Sequence, residues 1–180
     1  YFYAKHLENE NKNNRSKKII ETALKKYPRN LLLNQYKIEL ELKKNKSDFS
    51  CSDKNNIVAE FLYIAANALS TQLFFQKSNF YLNLSKFLNK DFHSFNTLLA
   101  ENFYKIEDLT SAKKIYEKLK DNGSAFKWYS NKQIARILIQ QNKKNAAIDL
   151  LTNSYNDLPT KGVYEMFDYS EFLKNNEQFT

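Results

Sequence analysis

The sequence predicts an all-α chain of paired antiparallel helices, and three observations carry that prediction. Gly and Pro number only 2 each in 180 residues. An all-β sandwich or a doubly wound α/β fold needs many tight turns, which those residues supply. Leu, Lys, Glu, Ala, Gln and Ile recur at helical spacing. Small residues return at a fixed period: Ala66, Ala100, Ala135 and Ser170 are spaced 34, 35 and 35 apart, and Ser78, Ala112 and Ala147 are spaced 34 and 35. A period of that length marks a helix–turn–helix unit. With 42% hydrophobic and 27% charged residues the chain is a folded one and not a disordered tail.

The elements follow in order. Ala4 and Leu7 belong to a first helix; Ser16, Ile20 and Ala23-Leu24 belong to a second, which Pro28 stops. Tyr1 therefore enters a repeat already begun, and the chain reads as a fragment. Leu31 to about Lys43 reads as one extra helix, and Leu31–Val58 does not fit a full repeat. Residues 1–43 form the N-terminal part, and 44–54 a polar linker in which Ser52 or Asp53 caps the next helix.

Residues 55–180 hold the better repeats, at about 59–92, 93–127 and 128–162, with a partial one at 163–180. In each, the first helix sets a large apolar residue beside a small one, so that the second helix can approach closely. The pairs are Ala65-Ala66 with Leu69, Leu99-Ala100 with Phe103, and Ile134-Ala135 with Leu138. The second helices supply Ser78 and Leu82, Ala112 and Tyr116, Ala147 and Leu151, each pair one turn apart on one face. Pro159 ends the last of these. Tyr169-Ser170 and Leu173 open a further unit, in which Phe179 stands at the start of a second helix. Asp121-Asn122-Gly123-Ser124 reads as a helix C-terminus with Gly123 left-handed.

This grammar resembles the tetratricopeptide repeat (TPR) family, carried by Leu99-Ala100, Phe103, Ala112 and Tyr116 in the clearest unit and by Ile134-Ala135, Leu138, Ala147, Leu151 and Pro159 in the next. The weaker units match at Ala65-Ala66, Leu69, Ser78, Leu82 and Ser85, and at Ala4, Ser16, Ile20, Ala23 and Pro28. Two features depart from the family. Glu107 and Asn142 replace its turn glycine, and Trp128 lies three residues before the family's tryptophan position. The resemblance implies a right-handed α-α superhelix, a solenoid of helix pairs. The linker followed by Phe61-Leu62-Tyr63-Ile64-Ala65-Ala66 is similar to exported TPR proteins of alphaproteobacteria. That likeness implies a bacterial, periplasmic protein; without it a cytoplasmic place stays open.

In this family the first helices line the concave face, which implies a strip of partner-binding residues: Tyr63, Asn67, Thr97, Glu101, Tyr104, Tyr129, Lys132, Arg136, Gln140, Tyr164, Phe167 and Glu171. A mixture of Tyr with charged and amide side chains suits peptide recognition. The alternative is that these Tyr are partly buried contacts between repeats. The family's carboxylate clamp for chaperone C-termini would fall on Tyr63, Asn67, Leu98, Tyr129 and Gln133, and only Asn67 agrees.

The function expected is therefore a non-catalytic scaffold for a protein or peptide partner. Two other classes remain open: a basic helical-repeat RNA binder, and a structural module stacking through its ends. The net charge of +8 admits nucleic acid. However, Lys, Asn, Ile, Phe and Tyr abundance fits an AT-rich genome, and arginine, the usual base reader, occurs only at Arg15, Arg29 and Arg136.

Nothing in the sequence points to chemistry. Gly123 and Gly162 are too far apart for a phosphate-cradling loop. His6 and His93 lack ligand partners at helical spacing, and Cys51 is the sole cysteine, without a local base. No catalytic, metal or cofactor site is expected, and no apolar run reaches the length of a membrane span.

Overall fold

The structure, a computed structural model, describes residues 1–42 and 49–176. Among these residues there are ten α-helices, one 3-10 turn and no strand. In order they are α1 (Phe2–Asn9), α2 (Asn13–Lys26), α3 (Leu31–Glu41), α4 (Lys54–Thr71), α5 (Phe75–Leu88), α6 (Ser94–Lys105), α7 (Leu109–Leu119), the 3-10 turn Lys120–Asn122, α8 (Ser124–Gln140), α9 (Lys144–Asn156) and α10 (Val163–Asn175). The chain is all-helical, as the composition predicts. It divides into two compact units, Tyr1–Ile115 and Tyr116–Thr180.

Four hairpins share one register. Ala4 and Ser16, Ala66 and Ser78, Ala100 and Ala112, and Ala135 and Ala147 are all fully buried. Small side chains at such positions let the backbones of a first and a second helix approach without a bulky group between them. In two hairpins the second residue is serine. Its hydroxyl donates back across the hairpin, from Ser16 Oγ to the Ala4 carbonyl at 2.9 Å and from Ser78 Oγ to the Ala66 carbonyl at 2.8 Å.

The turns repeat as closely. Asn11, Leu73, Glu107 and Asn142 each stand seven residues past the first small residue and have φ of 61, 65, 64 and 58°. In every case two backbone bonds close the first helix. In the second hairpin, for example, Phe74 N donates to Leu69 O at 2.9 Å and Leu73 N to Ser70 O at 3.0 Å; the third has Asp108 N to Phe103 O at 2.9 Å and Glu107 N to Tyr104 O at 3.1 Å. This is a Schellman turn, which satisfies carbonyls left over at a helix end and requires a left-handed residue. Glu107 and Asn142 thus occupy the glycine position expected for them, and Asn11 and Leu73 join them.

Two apolar clusters lie among the described residues of the first unit. Ala4, Ile20, Leu33 and Tyr36 form one, and Ala59, Ala66, Leu82, Phe92, Phe95, Leu98 and Leu99 the other, with Tyr1 against both. Phe49, read from the sequence as part of a polar loop, is buried with its ring 4.4 Å from Phe2. Residues 44–48 of that loop lie outside the described residues, as does Phe179. Asn30 caps α3, accepting from Leu33 N at 3.0 Å, and Asp53 caps α4, accepting from Asn55 N at 2.8 Å.

Asn102 of α6 is a buried polar junction. Its oxygen accepts from Ser70 Oγ of α4 at 2.6 Å, and its amide donates to Ser78 Oγ and Asn79 Oδ1 of α5, both at 2.8 Å. A fully satisfied junction of this kind fixes register, because any slip would leave buried polar atoms unpaired.

In the second unit Tyr116, Leu119, Phe126, Trp128, Ile134, Ile137, Leu138 and Leu151 are buried, each contributing roughly 1.5–3 kcal/mol if an ordinary large apolar side chain. Asn131 of α8 donates to Ser154 Oγ of α9 at 3.0 Å. One expectation is corrected here. Gly123 has φ 133° with ψ 170°, so it is not the compact left-handed turn; it makes an extended step from the 3-10 turn into α8, in a region that only glycine enters readily. Ser170 is exposed and α10 buries none of its residues; among the described residues no helix follows α10.

Candidate polar and aromatic faces of the first helices

Each unit presents part of the expected strip. In the first, α4 and α6 carry it. Tyr63 is half-buried, its ring 5.4 Å from Phe95 and 6.2 Å from Phe92. Burial, and after it the negative charge of Glu101, pushes the Tyr63 hydroxyl above the usual tyrosine range. Asn67 is exposed, while Thr97, Glu101 and Tyr104 are half-buried. Glu101 presents a carboxylate beside the junction residue Asn102, which faces inward.

In the second unit α8 and α10 carry it. Tyr129 is half-buried, edge-on to Tyr116 at 6.0 Å. It is therefore a packing residue as well as a candidate contact, and so is Tyr63; for these two the alternative reading of partly buried tyrosines holds. Lys132 is half-buried and its ammonium is paired with Asp168 of α10, while lying 5.8 Å from the Trp128 ring centre. Arg136 is exposed, with its guanidinium donating to Gln133 Oε1 at 3.4 Å. Gln140, Tyr164, Phe167 and Glu171 are exposed.

Sequence reasoning missed Asp168 and the stacked pair Tyr155–Tyr169, whose rings lie 4.4 Å apart at 14°. Asp168 stands one turn before Phe172 in a helix whose packing the repeat pattern did not define. The charge of Lys132 on the neighbouring first helix was the available signal.

No group of three or more His, Cys, Asp or Glu able to hold a metal ion occurs among the described residues. His6 does have a partner at helical spacing, contrary to the expectation from sequence: Glu10, one turn on, lies 3.2 Å from its Nε2, a single carboxylate and not a ligand set; Cys51 is exposed. Among the described residues no helix is long and apolar enough to cross a membrane.

No protein-family model, no curated protein and no solved structure matches the chain.

Proposed function

We propose that this chain is a non-catalytic scaffold that holds a peptide or helix of a partner protein along its first-helix faces, in the manner of a tetratricopeptide-like right-handed superhelix. The observation that carries this reading is the fourfold recurrence of one hairpin register and one left-handed turn. Within the first unit α4 packs against α6, and within the second α8 is joined to α10 through Lys132 and Asp168, so each unit offers its own recognition face. On α8 and α10 those positions are exposed and mix cation, amide, aromatic and carboxylate at Arg136, Gln140, Tyr164, Phe167 and Glu171. Such side chains supply rigid apolar area together with charges that set register.

Selection of peptides from a displayed random library on the whole chain tests the reading. Arg136 and Gln140 are exposed, so Arg136→Ala with Gln140→Ala is expected to weaken the selected peptides about tenfold, or 1.4 kcal/mol, at an unchanged melting temperature. Undiminished binding by that variant contradicts the reading. So does micromolar affinity for single-stranded RNA at about 150 mM salt, because phosphate binding is the interaction that salt suppresses.

A second reading is favoured by α10, where Val163, Met166 and Phe167 are exposed. It is end-to-end stacking of copies. Sedimentation of the whole chain distinguishes it, and a monomer at micromolar concentration removes it.

A further inference from the structure

α5 is apolar on two opposite sides. Ser78, Leu82 and Ser85 face the packed hairpin. Phe80, Leu84 and Phe87 are spaced four and three apart, within about 60° of one another on the far side of the helix. They are 61%, 37% and 76% exposed. Carried back toward the turn, the same spacing meets Lys77 and then Leu73, which is 72% exposed. An apolar stripe left exposed opposite a packed face is a surface suited to a partner.

Leu73 adds an independent sign. It is the left-handed residue of its turn, where the equivalent positions hold Asn11, Glu107 and Asn142. A leucine there carries the backbone strain that Glu107 also bears, and in addition it leaves an apolar side chain mostly exposed, where the other three turns place polar ones. Strain kept at an exposed apolar position points to a surface in use.

The spacing and the charge say what covers it. Alternation of four and three is the seam by which one helix takes another. Gln76 and the exposed Asn83 flank the stripe closely, so the apolar face is too narrow to enter a lipid surface. α5 contains Lys77 and Lys86 and no Asp or Glu, and Lys90 follows just past its end. Lys77 stands inside the seam, its ammonium 5.4 Å from the Phe74 ring centre. A second copy would set lysines against lysines.

We propose that this stripe of α5 docks an acidic amphipathic helix of another protein, with apolar residues at alternating three and four spacing and Glu or Asp beside them. This surface lies on a second helix and does not rest on the first-helix reading.

The test uses the whole chain and a synthetic peptide of about 21 residues, long enough to form a helix, with Leu at seam positions and Glu on its flanks. Two controls are a scramble of it and a version with Lys for Glu. Fluorescence anisotropy is expected to give micromolar binding of the acidic peptide, and binding at least about tenfold weaker for both controls. Phe80→Asp with Phe87→Asp is expected to lose at least about tenfold at an unchanged far-ultraviolet circular dichroism spectrum. Should that variant unfold, Lys77→Glu with Lys90→Glu decides instead, by weakening the acidic peptide and strengthening the lysine peptide. Each of four results overturns the proposal: equal binding of the scramble; no charge swap in the lysine variant; no acidic-peptide binding at about 1 mM; or, in place of peptide binding, attachment to phosphatidylserine vesicles or a dimer that Phe80→Asp abolishes.

Discussion

Replacing Leu73 by glycine is expected to stabilise the protein, although it removes the larger side chain. Leu73 has φ 65° and is mostly exposed. The left-handed conformation costs an L-residue about 1–2 kcal/mol, because Cβ crowds the following carbonyl. Glycine escapes that cost but gives the unfolded chain extra freedom, worth about 0.4–1 kcal/mol against folding. Little burial is lost at so exposed a position, so the balance is about 0.5–1 kcal/mol in favour of Gly. For a chain of this size that raises the melting temperature by about 1–4 °C. Urea unfolding followed by circular dichroism reads the change as a shifted midpoint at constant slope. Leu73→Ala is the control: it keeps Cβ and should gain nothing. Asn142→Gly should gain less than Leu73→Gly, since Asn tolerates this conformation. A destabilised Leu73→Gly, or an alanine that does as well, refutes the argument from backbone strain.

Other consequences are open to the same assay. Ala112→Leu and Ala147→Leu should each destabilise by about 1–3 kcal/mol through overpacking; two neutral results would mean that the hairpin register is wrong. Asn102→Ala unpairs buried groups on Ser70, Ser78 and Asn79 and should cost about 1–3 kcal/mol. Hydrogen bonds from the Ser111 hydroxyl and then its backbone N–H hold the Asp108 carboxyl below the usual range. Its contribution to stability is therefore present above the unfolded value, near 3.9, and is lost as pH falls through the lower folded value. Asp108→Asn keeps a cap but cannot titrate, so the variant should lose less stability than the wild type between about pH 5 and pH 2, measured by urea midpoints.

The hairpins were legible in the sequence because close backbone approach leaves so few choices. Only Ala or Ser fits at Ala66, Ser78, Ala100, Ala112, Ala135 and Ala147, so a fixed spacing survives where the larger core residues vary. The turns were legible only where the residue suited them. Asn142 announces a left-handed position, while Leu73 conceals one, since nothing about leucine suggests positive φ. Asn102 was invisible for a different reason: an Asn in a helix is ordinarily solvated, and its three partners come from two other helices. The candidate strip was legible by position and less so by exposure. Tyr63 and Tyr129 share the helix face of Asn67 and Arg136, yet their rings reach Phe95 and Tyr116. Spacing gives a face, and side-chain length decides how much of it is left to solvent. For α10 the register of the partial repeat depends on a second helix, which the described residues do not include.

Hydrogen exchange of the whole chain with and without a library-selected peptide bears most directly on the scaffold reading. Slowed exchange is expected in α4, α6, α8 and α10, strongest in α8 around Arg136 and Gln140. Protection confined to α2, α7 and α9, with the first helices unchanged, would contradict it.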